Sequence, residues 1–136
     1  MLKCTMPKKF GTTDHRGAAR YHVRWKIALI FDEHEHKPTY HGKTDDLSLS
    51  GTGMHTDTNT FTKAPVLVLL APPPLHPGHR QKVIEIRARQ VYSVYSGDAM
   101  CFRLGFEFLH FKGDGLQILK DRLSHHQPKM QPAGQK

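Results

Sequence analysis

Apolar and polar residues alternate over long stretches of this chain, which predicts that most of it forms β-strands. Side chains on a strand point to opposite faces in turn, so a period of two indicates a strand with one buried face. The alternation is clearest over residues 21–31, 82–96 and 101–109. In the last stretch Phe102, Leu104, Phe106 and Phe108 share one side, and in the middle one the apolar face is Ile84, Ile86, Ala88, Tyr92 and Val94.

Three shorter segments complete the predicted set of strands. Residues 39–46 form a polar, weaker strand, residues 51–56 re-enter the sheet, and residues 65–70 form a short apolar strand. Proline and glycine mark the turns between the strands, most visibly at residues 72–78 and 97–98. Short turns between successive strands indicate an antiparallel arrangement.

The last ordered segment has the spacing of a helix. Leu116, Leu119 and Leu123 recur at helical intervals, and Asp114 stands where a residue caps a helix that ends near Ser124. Six strands followed by one helix predict an all-β fold, a small six-stranded antiparallel barrel. We expect the helix to lie across one open end and to bury its leucine stripe there.

The two ends of the chain differ from its middle. Residues 1–14 show no periodicity and are expected to form a flexible lead-in, residues 15–126 form one domain, and residues 127–136 form a disordered tail. Residues 64–71 are the longest apolar stretch and are too short to span a membrane. The N-terminus lacks the apolar core of a signal peptide, so a cytoplasmic location is expected. Cys4 and Cys101 suggest no disulfide framework, which fits a reducing compartment.

Charge and chemistry narrow the function only slightly. The net charge of +8 favours an anionic partner, which includes nucleotides, nucleic acids, membrane surfaces and acidic proteins. None of the spacings among the eleven histidines matches a zinc site, so no metal is predicted. No nucleophile motif, phosphate-binding glycine loop or pair of catalytic carboxylates appears, so neither an enzyme nor a cofactor is predicted.

Three short motifs give a more specific indication. Residues 16–20 read R-x-x-x-R just before the first predicted strand, and residues 46–51 read D-x-S-x-x-G in a turn between two strands. Residues 103–108 read R-L-G-F-E-F in a late strand. Together, over residues 15–125, they resemble the PilZ domain, a bacterial receptor for the second messenger cyclic di-GMP.

The resemblance implies a six-stranded barrel, a mobile arginine loop and binding of cyclic di-GMP without catalysis. Guanidinium groups can pair with phosphates or stack on guanine, and a carboxylate can accept hydrogen bonds from the guanine edge. Glycine permits a positive φ and a close approach to the ligand. The implied binding residues are Arg16, Arg20, Asp46, Ser48 and Gly51.

Further residues have competing interpretations. The implied accessory contacts are His15, Arg24, Ser50 and Gly105. Arg24 also forms an R-x-x-x-R spacing with Arg20, but it falls inside the predicted strand, so the Arg16–Arg20 pair is preferred. In the family a second basic residue often stands near the position of His15, and both one cyclic di-GMP and an intercalated pair remain open. Asp46 and Ser48 could also simply shape a turn.

Three functions follow from these observations. The first is a receptor that changes conformation on binding cyclic di-GMP and signals to a downstream protein partner, with motility, biofilm, polysaccharide or virulence as output. The second is a PilZ-like adaptor that binds proteins but not cyclic di-GMP, as in type IV pilus assembly. The third is a basic barrel that binds single-stranded nucleic acid, which the burial of most aromatic residues disfavours.

Overall fold

The computed structural model describes residues 18–128 of the chain. Six strands and one helix follow one another along these residues: β1 (Lys26–Ile30), β2 (Thr39–Leu47), β3 (Gly51–Thr56), β4 (Val66–Ala71), β5 (Ile84–Ser96), β6 (Cys101–Phe111) and α1 (Gly115–Leu123). The strands close into a barrel in the order β1-β2-β3-β6-β5-β4, and every neighbouring pair is antiparallel. The predicted fold class, a six-stranded antiparallel barrel with a C-terminal helix, is confirmed.

The interior of the barrel is filled by the residues that alternate along the strands. Every second side chain from Val23 to Phe31 is buried, and β4 and the first half of β5 follow the same pattern. The core includes Leu29, Leu47, Met54, Val68, Ile86 and Leu104, each without exposed surface. Removal of these side chains from water stabilises the barrel.

The first strand is shorter than the alternation predicts. The prediction extended it over residues 21–31, but regular pairing begins only at Lys26, after a single bridge at Tyr21. Between these points the buried hydroxyl of Thr44 accepts a hydrogen bond from the Trp25 N–H at 2.8 Å and donates one to the Val23 carbonyl. A side chain therefore replaces part of the backbone ladder, which period-two patterning cannot reveal.

The long strand β5 does not keep one apolar face from end to end. Its register with β6 shifts between Arg87 and Ala88 and again between Gln90 and Tyr92. A bulge places the next side chain on the opposite face. Gln90 is buried in phase with Ile86 and Ala88, whereas Val94, which follows the second shift and was predicted on the apolar face, is 38% exposed.

Aromatic residues near the hairpin between β5 and β6 are less buried than expected. Phe102 is only partly buried at the edge of the core, and Tyr95 is 58% exposed. The pairing of β5 with β4 ends at Ala88, so the far end of β5 pairs with β6 and Tyr95 packs on Phe102. The Tyr95 and Phe102 rings meet edge to face at 5.3 Å.

Helix α1 lies against the barrel as predicted, but its buried stripe is shifted. Leu119 and Leu123 are buried in the core, whereas Leu116 is 39% exposed. Gly115, at the start of the helix, is buried instead of Leu116 and packs against Ile84. Asp114 occupies the capping position without a side-chain hydrogen bond.

An ion pair joins the turn after β1 to β5. Its loss should lower the unfolding free energy more at neutral pH than at acidic pH. Arg87 donates to both oxygens of Asp32, at 2.8 and 3.1 Å, and this hydrogen bonding lowers the pKa of Asp32. A lowered pKa in the folded state adds stability above the unfolded-state pKa of about 3.9, which disappears as the pH falls. Because both groups are partly exposed, we expect Asp32→Asn to cost about 0.5–1 kcal/mol at pH 7.

Urea unfolding of the variant and the parent at pH 7 and pH 3 measures this difference. The gap between the two unfolding free energies should be smaller at pH 3 than at pH 7. The exposed Asp98→Asn variant is the matched control and should leave stability unchanged at both pH values. An equal loss for Asp32→Asn at both pH values would show that packing, rather than the ion pair, is responsible.

Candidate functional site

The segment before β1 meets the barrel beside Asp46. Tyr21 and Leu47 exchange backbone hydrogen bonds of 2.8 and 2.9 Å, which fixes the segment against the end of β2. Arg20 therefore lies next to Asp46, and its Nη1 donates to Asp46 Oδ2 at 3.2 Å. Two of the predicted site residues, from different motifs, are brought together in this way.

The two partners of this ion pair differ in exposure. The side chain of Arg20 is 55% exposed, whereas that of Asp46 is 9% exposed. The other carboxylate oxygen of Asp46 accepts a hydrogen bond from the Gly53 N–H at 3.2 Å. The carboxylate is thus held by the neighbouring strand, while the arginine reaches it from a solvent-exposed segment.

The second half of the D-x-S-x-x-G motif forms the turn between β2 and β3. The Ser48 hydroxyl accepts hydrogen bonds from the Ser50 and Gly51 N–H groups at 3.1 and 3.2 Å. The Ser48 N–H donates to the Gly51 carbonyl at 2.9 Å. The alternative that Ser48 shapes a turn is therefore confirmed, and its hydroxyl is engaged within that turn.

Gly51 is required for a different reason from the one expected. Among the described glycines, a positive φ occurs at Gly78 and Gly113, not at Gly51. A Cβ at Gly51 would lie closer than 3.0 Å to the Phe106 carbonyl oxygen. The glycine allows β3 to approach β6, so the expectation of a positive φ was wrong.

Arg103 is a further site residue that the sequence interpretation did not assign. Its Nη2 lies 3.1 Å from Asp45 Oδ2 and 3.8 Å from Asp46 Oδ1, and its Nε donates to Asp45 at 3.2 Å. Its Nη1 donates to the Tyr92 hydroxyl at 2.7 Å. The site therefore contains a second described guanidinium, held between two carboxylates and a phenol.

Two glycines make room for this arrangement. Asp46, Gly53, Gly105 and Tyr92 are paired in turn across β2, β3, β6 and β5. A Cβ at Gly53 would lie closer than 3.0 Å to the Arg103 guanidinium, and one at Gly105 would collide with the Tyr92 ring. Gly105, predicted as an accessory contact, thus acts by admitting Tyr92.

Burial and charge act together on the groups of this site. Burial raises the pKa of Tyr92, more than the nearby Arg103 charge lowers it, so the hydroxyl stays protonated over a wider pH range. Burial opposes the charge on Arg103, but Tyr92, Asp46 and Asp45 outweigh it and raise the pKa of the guanidinium. At neutral pH Arg103 is therefore charged and the Tyr92 hydroxyl is neutral.

Three predicted residues remain, namely His15, Arg16 and Arg24. Arg16 and His15 lie outside the described residues. Arg24 is exposed on the irregular segment before β1, not within the strand as predicted. Arg103 was visible in the R-L-G-F-E-F motif, but Tyr92 could not be found because the bulge reverses the face on which it lies.

The close packing of Tyr92 on Gly105 gives a direct test of the site's architecture. We expect Gly105→Ala to destabilise the protein by about 1–3 kcal/mol, since the added methyl must displace the Tyr92 ring. Gly97→Ala is the matched control, because a Cβ there has open space around it. Thermal unfolding of both variants measures the effect, and equal melting temperatures would contradict the described packing.

The described residues contain no group of three or more metal-ligating side chains arranged to hold an ion. Within the same residues, no helix is long and apolar enough to cross a membrane. The sequence matches no protein-family model, and no curated protein is a significant match.

Solved structures do share the fold. The chain is similar to the Bacillus subtilis inhibitor of motility MotI/DgrA, with a TM-score of 0.64, 11% identity, and coverage of 82% of this chain and 51% of that one. For Escherichia coli YcgR in complex with c-di-GMP the TM-score is 0.59 and the identity 16%, and the match covers 82% of this chain and 45% of that one. For the PilZ domain of YcgR with c-di-GMP the TM-score is 0.52 and the identity 17%, and the match covers 82% of this chain and 91% of that one.

These comparisons establish the fold of the chain. It spans about half the length of MotI/DgrA and of YcgR, but nearly all of the isolated PilZ domain. At such low identity the likeness concerns backbone architecture. The barrel with its C-terminal helix has the fold of the PilZ domain, which is the fold that the motifs predicted.

Proposed function

We propose that this chain is a receptor for cyclic di-GMP that binds the ligand without transforming it. The observation that supports this most is the contact between Arg20 and Asp46, which joins the two sequence motifs on a PilZ-like barrel. The similar structures of YcgR, with c-di-GMP bound, make this ligand the natural candidate. The net charge of +8 favours an anionic ligand of this kind.

The geometry suggests how each group would act. Asp46 is held by Gly53 and would accept hydrogen bonds from the N1–H and N2–H₂ groups of guanine. Arg20 and Arg16 would pair with phosphate or stack on a guanine ring. The turn set by Ser48 and Gly51 would keep Asp46 at the end of β2, while Arg103 would add positive charge beside it.

Binding would require Arg20 to exchange partners. In the described structure Arg20 pairs with Asp46, so a guanine edge that takes this carboxylate must displace the arginine. The freed guanidinium would then be available to the ligand itself. Because Arg20 belongs to the segment that leads into β1, this exchange would reshape the adjacent surface and pass the signal to a partner.

An adaptor that binds proteins without cyclic di-GMP is the second candidate. The end of the β5–β6 hairpin favours it, because Val94, Tyr95 and Met100 are 38%, 58% and 76% exposed. Exposed apolar side chains grouped in this way often mark a surface for another protein. Such a surface is also compatible with a receptor, so it does not replace the first proposal.

A panel of ligands tests the proposal and separates it from the alternatives. Purified protein is mixed with cyclic di-GMP, cyclic di-AMP, GTP or a short single-stranded oligonucleotide, and its melting temperature is recorded. We expect a concentration-dependent rise with cyclic di-GMP alone, since a ligand that binds the folded state stabilises it. A rise with the oligonucleotide alone would favour nucleic-acid binding, and no rise with any ligand would favour the adaptor.

A further inference from the structure

A buried arginine lies far from the proposed nucleotide site, near the end of helix α1. Arg122 has only 8% of its surface exposed. Its Nη1 donates to the Pro73 carbonyl at 3.0 Å. Among the described residues no carboxylate forms an ion pair with Arg122. The bond to Pro73 is the one hydrogen bond that its guanidinium makes with these residues.

Such an arrangement is unusual for a buried charge. A guanidinium has five N–H donors, and burial without an anionic partner carries a free-energy cost. The carbonyl groups at the end of α1 offset part of this cost, because the negative end of the helix dipole favours cations. The other donors of the Arg122 guanidinium make no hydrogen bond within the described residues.

A cavity of about 230 Å³ opens beside this guanidinium. It is lined by the apolar residues Trp25, Leu75 and the proline run 72–74, and by Arg122, His125 and His126. Within residues 18–128 no carboxylate lines this cavity. Asp114, Asp121 and Lys82 line a second depression, which shares Leu75 and Arg122 with the first.

We propose that this cavity binds an acidic peptide segment of a partner protein, with a carboxylate on Arg122 and an adjacent apolar side chain on Trp25 and Leu75. The planar fork of arginine matches a carboxylate in a bidentate fashion. The proline run 72–74 adds apolar surface to the lining. An apolar side chain of a peptide can contact this surface, whereas a free inorganic anion would not. The positive charge of Arg122 disfavours a basic peptide and complements an acidic one.

The position of the cavity also connects it to the nucleotide site, in so far as the proposed function holds. Trp25 lies five residues after Arg20 on the same segment, and its N–H is held by Thr44, two residues before Asp46. A shift of this segment on ligand binding would therefore move Trp25, which lines the cavity. Binding of the acidic peptide itself does not depend on that coupling.

The single tryptophan makes the cavity directly observable. In ¹H–¹⁵N spectra of the full chain, one indole N–H signal belongs to Trp25. The probes are the blocked dipeptides acetyl-Leu-Glu-amide and acetyl-Leu-Gln-amide, which differ only in charge. We expect both to shift the Trp25 signal, and the glutamate peptide to bind at least about tenfold more tightly.

Substitution of Arg122 should remove that preference. In Arg122→Gln the two peptides should bind equally, whereas the matched control Lys120→Gln, an exposed cation on the same helix, should keep the tenfold difference. If Arg122→Gln does not fold, Arg122→Lys keeps the charge without the fork and should lose most of the preference. Circular dichroism establishes which variant is folded.

Other outcomes would overturn the proposal. Equal binding of the two peptides to the parent, an unmoved Trp25 signal, or equally tight binding of inorganic phosphate would each contradict it. Arg20→Ala should leave peptide binding intact while removing cyclic di-GMP binding, and Arg122→Gln should do the reverse. A failure of this inference is thereby separated from a failure of the proposed function.

Discussion

Asp46→Asn is expected to weaken binding of cyclic di-GMP by about two orders of magnitude. Two hydrogen bonds from a guanine edge to a carboxylate contribute about 3 kcal/mol together, which corresponds to roughly a hundredfold change in affinity. The asparagine side chain has nearly the same shape. It has no charge, however, and its NH₂ group would face the donor edge of guanine, so one attraction becomes a repulsion.

The structure indicates that Asp46→Asn mainly alters the chemistry of this side chain and leaves the fold of the site intact. One oxygen of Asp46 accepts from the Gly53 N–H, and an asparagine carbonyl can still do so. The pairing with Arg20 is lost, but that arginine is 55% exposed and remains solvated. Isothermal calorimetry measures the affinity, and thermal unfolding verifies that the variant is folded.

Asp57→Asn is the matched control for this experiment. Asp57 is an exposed carboxylate just after β3, so its neutralisation changes the net charge by the same amount. We expect its affinity to stay within about threefold of the parent, since an exposed distant charge is largely screened. Equal effects of Asp46→Asn and Asp57→Asn would mean that Asp46 does not contact the ligand.

Arg103→Gln is expected to reduce both stability and ligand affinity. The substitution leaves the half-buried Asp45 and the carboxylate of Asp46 without this cation, and it removes the donor to the Tyr92 hydroxyl. Loss of one partner of a largely buried ion pair costs more than the pair itself contributes. We expect the unfolding free energy to fall by about 2 kcal/mol and the affinity to fall about tenfold or more.

Arg89→Gln supplies the comparison for Arg103→Gln. Arg89 pairs with Glu107 on the outside of the barrel, and the two side chains are 55% and 48% exposed. An exposed pair of this kind contributes little, so we expect a change of less than about 0.5 kcal/mol. Urea unfolding of both variants measures the two changes in unfolding free energy. Similar decreases for Arg89→Gln and Arg103→Gln would show that Arg103 does not organise the site.

Much of the barrel could be predicted from the sequence because a single physical rule governs its strands. Buried residues at every second position identify β4 and the first half of β5 without any knowledge of their partners. The start of β1 could not be predicted, because the Thr44 side chain on the neighbouring strand β2 takes up the Trp25 N–H. The bulge near Gln90 was equally hidden, since a register shift leaves the composition unchanged.

The candidate site was predictable in so far as it follows short motifs. Arg20 and Asp46 were expected to act together, and they are in contact. Arg103 lay in a quoted motif, yet its partners Asp45 and Tyr92 are brought to it only by the pairing of four strands. Long-range strand register, rather than residue type, decides which charges neutralise one another at this site.

The most direct measurement is a calorimetric titration of cyclic di-GMP into the parent chain and the Arg16→Ala/Arg20→Ala variant. Arg80→Ala is the control, because it removes an exposed arginine from the loop between β4 and β5. We predict saturable binding by the parent, nearly the same affinity for Arg80→Ala, and no detectable heat of binding for the double variant. Absence of binding by the parent, or equal affinity of the parent and the double variant, would contradict the proposed receptor site.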